Sequence, residues 1–563
     1  MRPVRFALLL ACCLALVAAG VAAAADAPSF AAQTQEAVRQ RLEAAGQPGA
    51  LTICHECLYD RAAVQEFYLS RLFQPAWSEE GRPTPLAAEL ASAIRAAEAE
   101  GLMPEHYHLK HITALLSALD RQPKAEAAAD LDLLLTDAFL VLGSHFLSGR
   151  INPTTIDPEW LAKRREGDLP ATLRKALASN DITATLQTLL PQQQGYAALH
   201  RALARYRQLV AKGGWPTVPT GPKLEPGARG PRVAALRGRL AAEGDLAATA
   251  AAGDCFDDIL GDAVRHFQAR HGLDNDGVVG AATLAALNVP SSQRARQLVL
   301  NLERWRWLPP DLGQRHILIN IAAFQLAFME GETPTLAMRV VVGKPYRRTP
   351  VFSGTVTYLV LNPAWEVPSS IAAKDILPEI RKDRHYIQRL GFRVFQGWGA
   401  EARAINPATA NRQASRAGTF PYRLRQEPGP LNALGRVKFM FSNPYNVYLH
   451  DTPARDLFQK EKRTFSSGCI RLEYPLELAT ALLTGTPLGD GAALDAALAE
   501  GKSQTISLPE PMPVHLLYLT AWADADDTVH FRSDVYGRDP RLDQALSRSP
   551  PSLGTSNAGD DAR

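Results

Sequence analysis

The sequence predicts a multidomain α+β fold: an α-helical N-terminal scaffold, a small three-helix module, and a mostly-β C-terminal domain with an inserted lid subdomain. Three observations lead to this fold class. The chain has 563 residues, which is too long for one hydrophobic core and indicates three or four domains. Its first third is rich in Ala and Leu at helical spacing. Its last third contains β-branched and aromatic runs between Gly and Pro breaks.

The N-terminus has the pattern of a secretory signal peptide. Arg2 and Arg5 precede an apolar stretch that ends in a run of Ala at Ala25. We therefore predict a signal peptide over residues 1–25 and export to the periplasm. An uncleaved anchor is the alternative, because the apolar run approaches the ~20 residues that span a bilayer. No later segment is expected to be long and apolar enough to cross a membrane.

Residues 30–212 are predicted to form the helical scaffold domain, and no catalytic cluster stands out within them. His106, His108 and His111 lie close together there. For these three we favour solvated or packed histidines over a metal site. The Gly- and Pro-rich segment 213–231 is predicted to be a linker.

Residues 232–290 are predicted to form a compact module of three helices. Apolar residues that share one face mark the first helix: Val233, Leu236 and Leu240. Phe267 belongs to the second helix, and Leu284 belongs to the third.

Residues 314–540 are predicted to form the mostly-β domain, of sandwich or barrel type. Strand-like runs include Ile317–Ile321, Arg339–Val342, Val356–Leu361, Val447–His450, and two expected closing strands, Pro513–Thr520 and Val529–Phe531. The charged stretch of about 369–434 is a candidate lid beside the active-site strands, with helical signals from Asp375 to Arg381. A surface excursion without function is the alternative. The tail 550–563 is predicted to be disordered.

Charge and cysteine content exclude some function classes. The formal net charge of +3 is close to balance and the basic residues are scattered, so no nucleic-acid partner is implied. Cys54 and Cys57 have redox or half-zinc spacing, but no second pair completes a zinc site. In an oxidising compartment we favour a local disulfide or two unpaired thiols for this pair. No metal and no cofactor are predicted.

The most informative residue is Cys469, which follows Ser467 and Gly468. His450 lies nineteen positions upstream, in a strand-like run. An imidazole and a thiol that converge from neighbouring strands form a nucleophile–base pair. A free Cys has a pKa of roughly 8.5, so a nearby base is needed to raise its thiolate fraction at neutral pH. A buried, inert Cys is the alternative for any lone thiol, but the small residues before Cys469 favour catalysis.

This constellation resembles the active-site signature of the L,D-transpeptidase catalytic-domain family: a His, about fifteen residues, then Ser/Thr-His-Gly-Cys, an apolar residue and Asn. Here Ser467 replaces the second His and Arg471 replaces the Asn. Both departures resemble the large multidomain Gram-negative branch. Further stretches are similar to that branch as well: Val340–Pro345, Asn362–Pro368 and Gly429–Gly435. The resemblance covers most of the chain, from about residue 30 to about residue 540.

The resemblance implies a cysteine-dependent L,D-transpeptidase. The Cys469 thiolate would attack a peptidoglycan stem tetrapeptide, D-Ala would leave with a proton from His450, and an amine of a neighbouring stem would resolve the thioester. The Cys469 backbone N–H, with Gly468 or the Tyr448 hydroxyl, would stabilise the oxyanion. The three-helix module resembles the peptidoglycan-binding module; a small bundle that has lost ligand affinity is the alternative.

The remaining candidate residues are expected to contact substrate or to support the turn. Arg471 either pairs with a stem carboxylate or forms a structural salt bridge. Trp365 and Tyr448 either line the stem-peptide groove or belong to the core, and Ser467 shapes the turn. Asp451 points to the opposite strand face from His450, so a backbone carbonyl is the better candidate to orient the imidazole.

The expected partners are peptidoglycan stem peptides and glycan strands, with other cell-wall synthesis proteins as further candidates, and we expect a monomer. Of three rival functions, the first is disfavoured and the other two remain open. A sortase-like transpeptidase usually has its His far upstream of the Cys, a spacing that this chain lacks. A stem-peptide hydrolase would use the same thiol with water as acceptor. A non-catalytic wall-binding protein would need neither His450 nor Cys469.

Overall fold

Helices make up the first half of the chain and strands most of the second half. The computed structural model describes residues 28–44, 52–54, 56–161, 164–383, 385–410 and 421–548. The predicted signal peptide and the predicted disordered tail lie outside the described residues.

The scaffold is a helical domain with two short hairpins. Its helices are α1 (Phe30–Ala44), α2 (Arg61–Ser70), α3 (Pro85–Ala96), α4 (Leu109–Arg121), α5 (Ala125–Ser148), α6 (Pro153–Ile156), α7 (Leu169–Ser179), α8 (Ile182–Gln187) and α9 (Gln194–Ala211). Its hairpin strands are β1 (Thr52–Ile53), β2 (Glu56–Cys57), β3 (Ser78–Glu79) and β4 (Arg82–Pro83). The helices pack around α5, which is buried along most of its length.

Helix α5 corrects one expectation, because it is long and apolar enough to cross a membrane by length and composition. It is nevertheless the core of the scaffold, with 89% of its apolar window buried inside the protein. Its two interior carboxylates are satisfied by the surrounding chain. Asp132 accepts a hydrogen bond from Ser78 Oγ at 2.8 Å, and Asp137 accepts one from the Asp60 N–H at 2.8 Å. Buried carboxylates that are hydrogen-bonded by the surrounding chain are typical of a helix in a protein interior.

The histidine cluster of the scaffold is used for packing. His108 is buried, and its Nε2 lies 2.7 Å from Asp137 Oδ2. His111 lies 3.0 Å from Glu56 and is only partly exposed. These contacts agree with the preference for packed histidines in this segment.

The small module contains the three expected helices, α10 (Pro231–Glu243), α11 (Asp258–His271) and α12 (Ala281–Leu287). The predicted apolar face of α10 is buried in the core of the module: Val233, Leu236 and Leu240. Helix α13 (Ser291–Arg306) follows and packs against α9, so it joins the module to the scaffold.

A buried ionic cluster also ties the module to the scaffold. Glu243, at the end of α10, lies 2.8 Å from both Arg239 and Arg270. It also accepts a hydrogen bond from the Tyr206 hydroxyl of α9. Burial alone would raise the pKa of Glu243, but the two guanidinium groups outweigh it and lower the pKa to about 2.

We expect Glu243→Gln to destabilise the protein by about 3–5 kcal/mol at pH 7, because it leaves two buried arginines without their shared carboxylate. The folded pKa lies below the ordinary value of 4.5, so the stabilisation is complete above that value and declines as pH falls toward 2. Urea unfolding at pH 7 and at pH 3, followed by Trp fluorescence, measures both effects. Glu225→Gln, which alters an exposed pair with Lys223, is the matched control. A difference between Glu243→Gln and the native chain that grows toward pH 3 would contradict this account.

The strands after residue 314 are β5 (Arg315–Asn320), β6 (Gln325–Glu330), β7 (Thr333–Gly343), β8 (Phe352–Leu361), β9 (Trp365–Glu366), β10 (Phe392–Gln396), β11 (Arg403–Ile405), β12 (Arg423–Gln426), β13 (Val437–Phe441), β14 (Leu449–His450), β15 (Thr464–Ser466), β16 (Ile470–Leu472), β17 (Gln504–Leu517), β18 (Ala521–Ala523) and β19 (Val529–Phe531). The helices among them are α14 (Ser369–Ile371), α15 (Leu377–Lys382), α16 (Tyr386–Arg389), α17 (Pro475–Leu482), α18 (Gly491–Ala499) and α19 (Asp539–Leu546).

Nine of these strands form one mixed sheet in the order β15-β7-β16-β14-β13-β8-β17-β5-β6. Strand β6 also pairs with β7, so eight strands close into a barrel and β15 is attached outside the ring. Closure leaves the eight strands without a free edge, and their inward residues form the largest apolar core. Of the two expected types, the barrel is the observed one.

The expectation for the closing strands is half right. Strand β17 is a barrel strand and contains Pro513 to Leu517. Strand β19 instead pairs with β18 in a separate two-stranded ribbon. This ribbon packs against α9 and α13, so Val529 and Phe531 belong to the core between scaffold and barrel.

The candidate lid has its own small core. Strands β9 to β12 form a four-stranded antiparallel sheet in the order β11-β10-β12-β9. The predicted helical signal corresponds to a five-residue π-helix, Ala372–Ile376, followed by α15. The three later strands of this sheet were not predicted, because the charged segment lacks a clean two-residue alternation.

Candidate active site

A tight turn between β15 and β16 presents Cys469. Gly468, just before it, has φ +118°, a conformation that side chains with a Cβ rarely adopt. The Ser466 hydroxyl holds the turn from inside, because it accepts the Gly468 N–H at 3.1 Å and donates to the Cys469 carbonyl at 2.5 Å. Thr349 Oγ1 donates to the Gly468 carbonyl at 2.8 Å. The turn is therefore fixed on both sides of the thiol.

Strand register places the thiol and the imidazole on the same face of the sheet. Strands β14 and β16 are parallel, with Leu449 opposite Ile470 and His450 opposite Arg471. Paired residues project to the same side, and successive residues alternate. One face therefore carries the following side chains, and we call it the polar face: Tyr448, His450, Cys469 and Arg471. Leu449 and Ile470 point the other way and are fully buried in the barrel core.

His450 is buried and oriented by the backbone. Its Nδ1 lies 2.5 Å from the carbonyl oxygen of Asp451. A carbonyl only accepts, so Nδ1 carries the proton and Nε2 keeps its lone pair. The Asp451 carboxylate instead accepts the Arg436 N–H at 2.8 Å and lies 3.2 Å from Arg455. The expectation that a carbonyl, and not this carboxylate, orients the imidazole is confirmed.

The electrostatics favour a neutral thiol beside a neutral imidazole in the resting site. Burial and the nearby Arg471 and Lys438 cations lower the pKa of His450 to about 3, although the bond to the Asp451 carbonyl opposes this shift. Burial raises the pKa of the half-buried Cys469 thiol above its ordinary value. The expectation that His450 enlarges the thiolate fraction therefore does not describe the resting site. His450 is instead suited to accept the thiol proton as the sulfur attacks.

Tyr448 and Trp365 form a chain of donors that ends at the sulfur. The backbone N–H and the hydroxyl of Tyr448 both interact with Cys469 as donors, and both lower the pKa of the thiol. The Trp365 indole interacts in turn with the Tyr448 hydroxyl. Trp365 belongs to β9, which pairs with β12 in the sheet of the candidate lid, so this chain of donors links the candidate lid to Cys469.

Two cations flank the pair. Arg471 is partly buried, and burial lowers its pKa. Lys438 lies opposite His450 in the register of β13 and β14, so it belongs to the polar face as well. Among the described charged groups, only Cys469 favours the protonated form of either cation. The structural salt bridge considered for Arg471 is thus not found among the described residues.

Sequence reasoning missed Lys438, although a signal was present. The run Val437-Lys438-Phe439-Met440-Phe441 alternates, with its first, third and fifth residues buried in the core. A Lys at an even position of such a strand projects to the opposite face, which here is the face of His450.

A further contact joins the candidate lid to the turn that carries Cys469. The Arg347 guanidinium pairs with Asp375 in the π-helix of the lid and donates to Ser467 Oγ at 2.8 Å. Ser467 itself is exposed, next to the half-buried thiol. The residue expected to shape the turn is therefore also the point where the turn meets the lid.

The raised thiol pKa predicts an alkaline shift in the reactivity of Cys469. Only the thiolate reacts with iodoacetamide, so the alkylation rate at Cys469 should rise to its half-maximum above the pH found for N-acetylcysteine. Site-resolved mass spectrometry over a pH series measures this rate. A half-maximum below that of N-acetylcysteine would indicate an ion pair between thiolate and imidazolium at rest.

A thiol, an oriented imidazole and convergent donors on one sheet face are the groups that thiol-dependent acyl transfer requires. Comparison with known families agrees with that chemistry. Residues 314–488 match the family described as "L,D-transpeptidase catalytic domain", residues 62–203 match "Scaffold domain", and residues 229–287 match "Putative peptidoglycan binding domain". The barrel region is thus an L,D-transpeptidase catalytic domain, and the same chain carries a scaffold domain and a peptidoglycan-binding domain.

Individual relatives carry the same name. A Haemophilus influenzae protein named "Putative L,D-transpeptidase" is 32% identical over 260 residues, which are 46% of this chain and 51% of that protein. The chain thus spans about half the length of this curated relative.

Solved structures with the same name also match. An L,D-transpeptidase from Mycobacterium smegmatis is 14% identical over 36% of this chain and 58% of its own, with a TM-score of 0.17. One from Stackebrandtia nassauensis is 14% identical over 54% of this chain and 96% of its own, with a TM-score of 0.22. TM-scores this low carry no argument about the fold.

Proposed function

We propose that this protein is a cysteine-dependent L,D-transpeptidase that cross-links peptidoglycan stem peptides. The observation that carries the proposal is the shared face of Cys469 and His450, with the imidazole held so that its free Nε2 can accept a proton. The domain family of residues 314–488 supports the same reaction class.

In the first step, Cys469 Sγ attacks the carbonyl carbon of the L-centre that precedes the terminal D-Ala of a stem tetrapeptide. The thiol proton passes to Nε2 of His450 and then to the nitrogen of D-Ala, so the C–N bond breaks and a thioester forms. In the second step, an amine of a neighbouring stem attacks the thioester. The C–S bond breaks, a new amide forms, and the proton of the amine returns to the sulfur through His450.

The oxyanion of each tetrahedral intermediate needs donors near the sulfur. The Gly468 N–H is already used by Ser466 Oγ. The Cys469 N–H and the Tyr448 hydroxyl are therefore the better candidates, and losing one such donor costs on the order of 3 kcal/mol.

Charge on the polar face suits an anionic substrate. Burial disfavours the charged forms of Arg471 and Lys438. Among the described residues, no carboxylate pairs with either cation to offset this cost. A stem peptide carries several carboxylates, and a guanidinium binds a carboxylate through two parallel hydrogen bonds. We assign Arg471 to a stem carboxylate, and Trp365 and Tyr448 to the wall of the groove.

The domain context supports a location at the cell wall. A peptidoglycan-binding domain attached to the catalytic barrel implies an enzyme that acts outside the cytoplasm. Retention on glycan strands, periplasmic export by the N-terminal segment, the monomeric state and contacts with other cell-wall synthesis proteins stay predictions.

To test the proposal, the purified protein is incubated with disaccharide–tetrapeptide units, and the masses of the products are measured by mass spectrometry. A dimer that lacks one D-Ala is expected, and Cys469→Ala should not form it. A shortened monomer would indicate stem hydrolysis instead. Unchanged substrate would favour a non-catalytic binding protein.

A further inference from the structure

Lys438 is placed against the aromatic ring that faces the nucleophile. Its Nζ lies 3.8 Å from the centroid of the Tyr448 ring. The same ring contacts His450 edge-on, with 5.6 Å between the ring centroids. Tyr448 is mostly buried, and its hydroxyl interacts with both Cys469 and Trp365. The ring is thus held between a cation on its face and two polar contacts at its hydroxyl.

The position of Lys438 disfavours the charged form of its ammonium group. Burial lowers its pKa, and Cys469 is the only described charged group that opposes the shift. A cation whose pKa is lowered by burial and that has no carboxylate partner beside it is a candidate for a functional role.

We propose that Lys438 is a positioning residue that acts through the Tyr448 ring: it fixes the ring and strengthens the hydrogen bond that the Tyr448 hydroxyl donates to the sulfur of Cys469 and to the oxyanion. This inference rests on the proposed function, because it names a residue that tunes the same thiol. The physical basis is the attraction of a cation to the negative face of an aromatic ring. Electron density drawn toward Lys438 leaves the hydroxyl a stronger donor.

Lys438 can act on the thiol in two ways, and these two ways can be measured separately. Lys438 also acts directly on the charge of the sulfur, and that Coulomb effect does not need the Tyr448 hydroxyl. The part transmitted through the ring vanishes when the hydroxyl is removed. A double-mutant cycle between Lys438 and Tyr448 isolates the transmitted part.

The experiment measures iodoacetamide alkylation of Cys469 by site-resolved mass spectrometry across pH, so it does not depend on cross-linking activity. Lys438→Met keeps the length of the side chain and removes the charge. We expect it to slow alkylation about 10-fold at a fixed pH below the thiol pKa, which corresponds to a rise of about one unit. Lys438→Arg should restore most of the rate. In a Tyr448→Phe background, Lys438→Met should slow alkylation by about 3-fold or less.

The matched control for Lys438→Met is a second lysine in an exposed position. Lys462→Met makes the same charge change at an exposed position seven residues before Cys469 and should leave the rate unchanged. If Lys438→Met does not fold, Lys438→Gln replaces it in the cycle. Equal slowing with and without the Tyr448 hydroxyl would overturn the proposal in favour of a direct Coulomb effect. No slowing at all would overturn it outright, while leaving the transpeptidase function intact.

Discussion

Cys469→Ala is expected to eliminate cross-linked product, with a fall in rate of at least about 10⁴-fold. In the proposed mechanism, Cys469 Sγ holds the peptidyl group between the two steps, so the variant lacks the atom that forms the thioester. His450 and the donors at Tyr448 remain, but they have no nucleophile to activate. The rate of dimer formation from disaccharide–tetrapeptide units measures the loss.

The matched control for this variant is Cys255→Ala. Cys255 is partly buried in the peptidoglycan-binding domain and is not one of the residues of the barrel, so its loss should leave the rate within about twofold. Retained cross-linking by Cys469→Ala would remove the thiol from the mechanism.

His450→Ala is expected to lower the rate by about 10²–10⁴-fold at pH 7, the usual range for loss of a general base. Because the thiol pKa is raised by burial, almost no thiolate exists at pH 7 without a base to take the proton. The residual activity should therefore rise about tenfold per pH unit until the thiol ionises by itself. Steady-state rates from pH 6 to pH 10 measure this slope.

His200→Ala serves as the control, since this histidine is partly exposed in the scaffold and pairs with Glu100 at 3.3 Å. It should preserve the pH profile of the native chain. A His450→Ala profile parallel to the native one would mean that the imidazole does not handle the thiol proton.

Local patterns in the sequence were enough to predict that Cys469 and His450 come together from neighbouring strands. The Ser-Ser-Gly-Cys run and the strand-like run ending at His450 both depend on near neighbours, and strand alternation already separated Asp451 from His450. Alternation also contained the information for Lys438, which was missed because a single Lys in a strand is usually solvated. The φ of Gly468 is another local property that its residue type makes predictable.

Contacts between residues that are distant in the sequence could not be predicted from local patterns. Closure of the barrel depends on the pairing of β6 with β7 and of β17 with both β5 and β8. The sequence of a single strand does not show which other strands it pairs with. The contacts of Thr349 with Gly468, and of Arg347 with Ser467, bring together residues more than a hundred positions apart. Helix α5 shows the same limit, since its apolar surface alone does not tell a protein core from a bilayer.

The most direct test of the account is to trap the covalent intermediate. The protein is mixed with disaccharide–tetrapeptide in large excess, quenched in acid within seconds, and digested with pepsin at low pH, where a thioester survives. We expect the peptide containing Cys469 to gain the mass of the substrate minus D-Ala, and hydroxylamine to remove the adduct. Cross-linked product formed without any adduct on Cys469, or with the adduct on Cys54, Cys57 or Cys255, would contradict it.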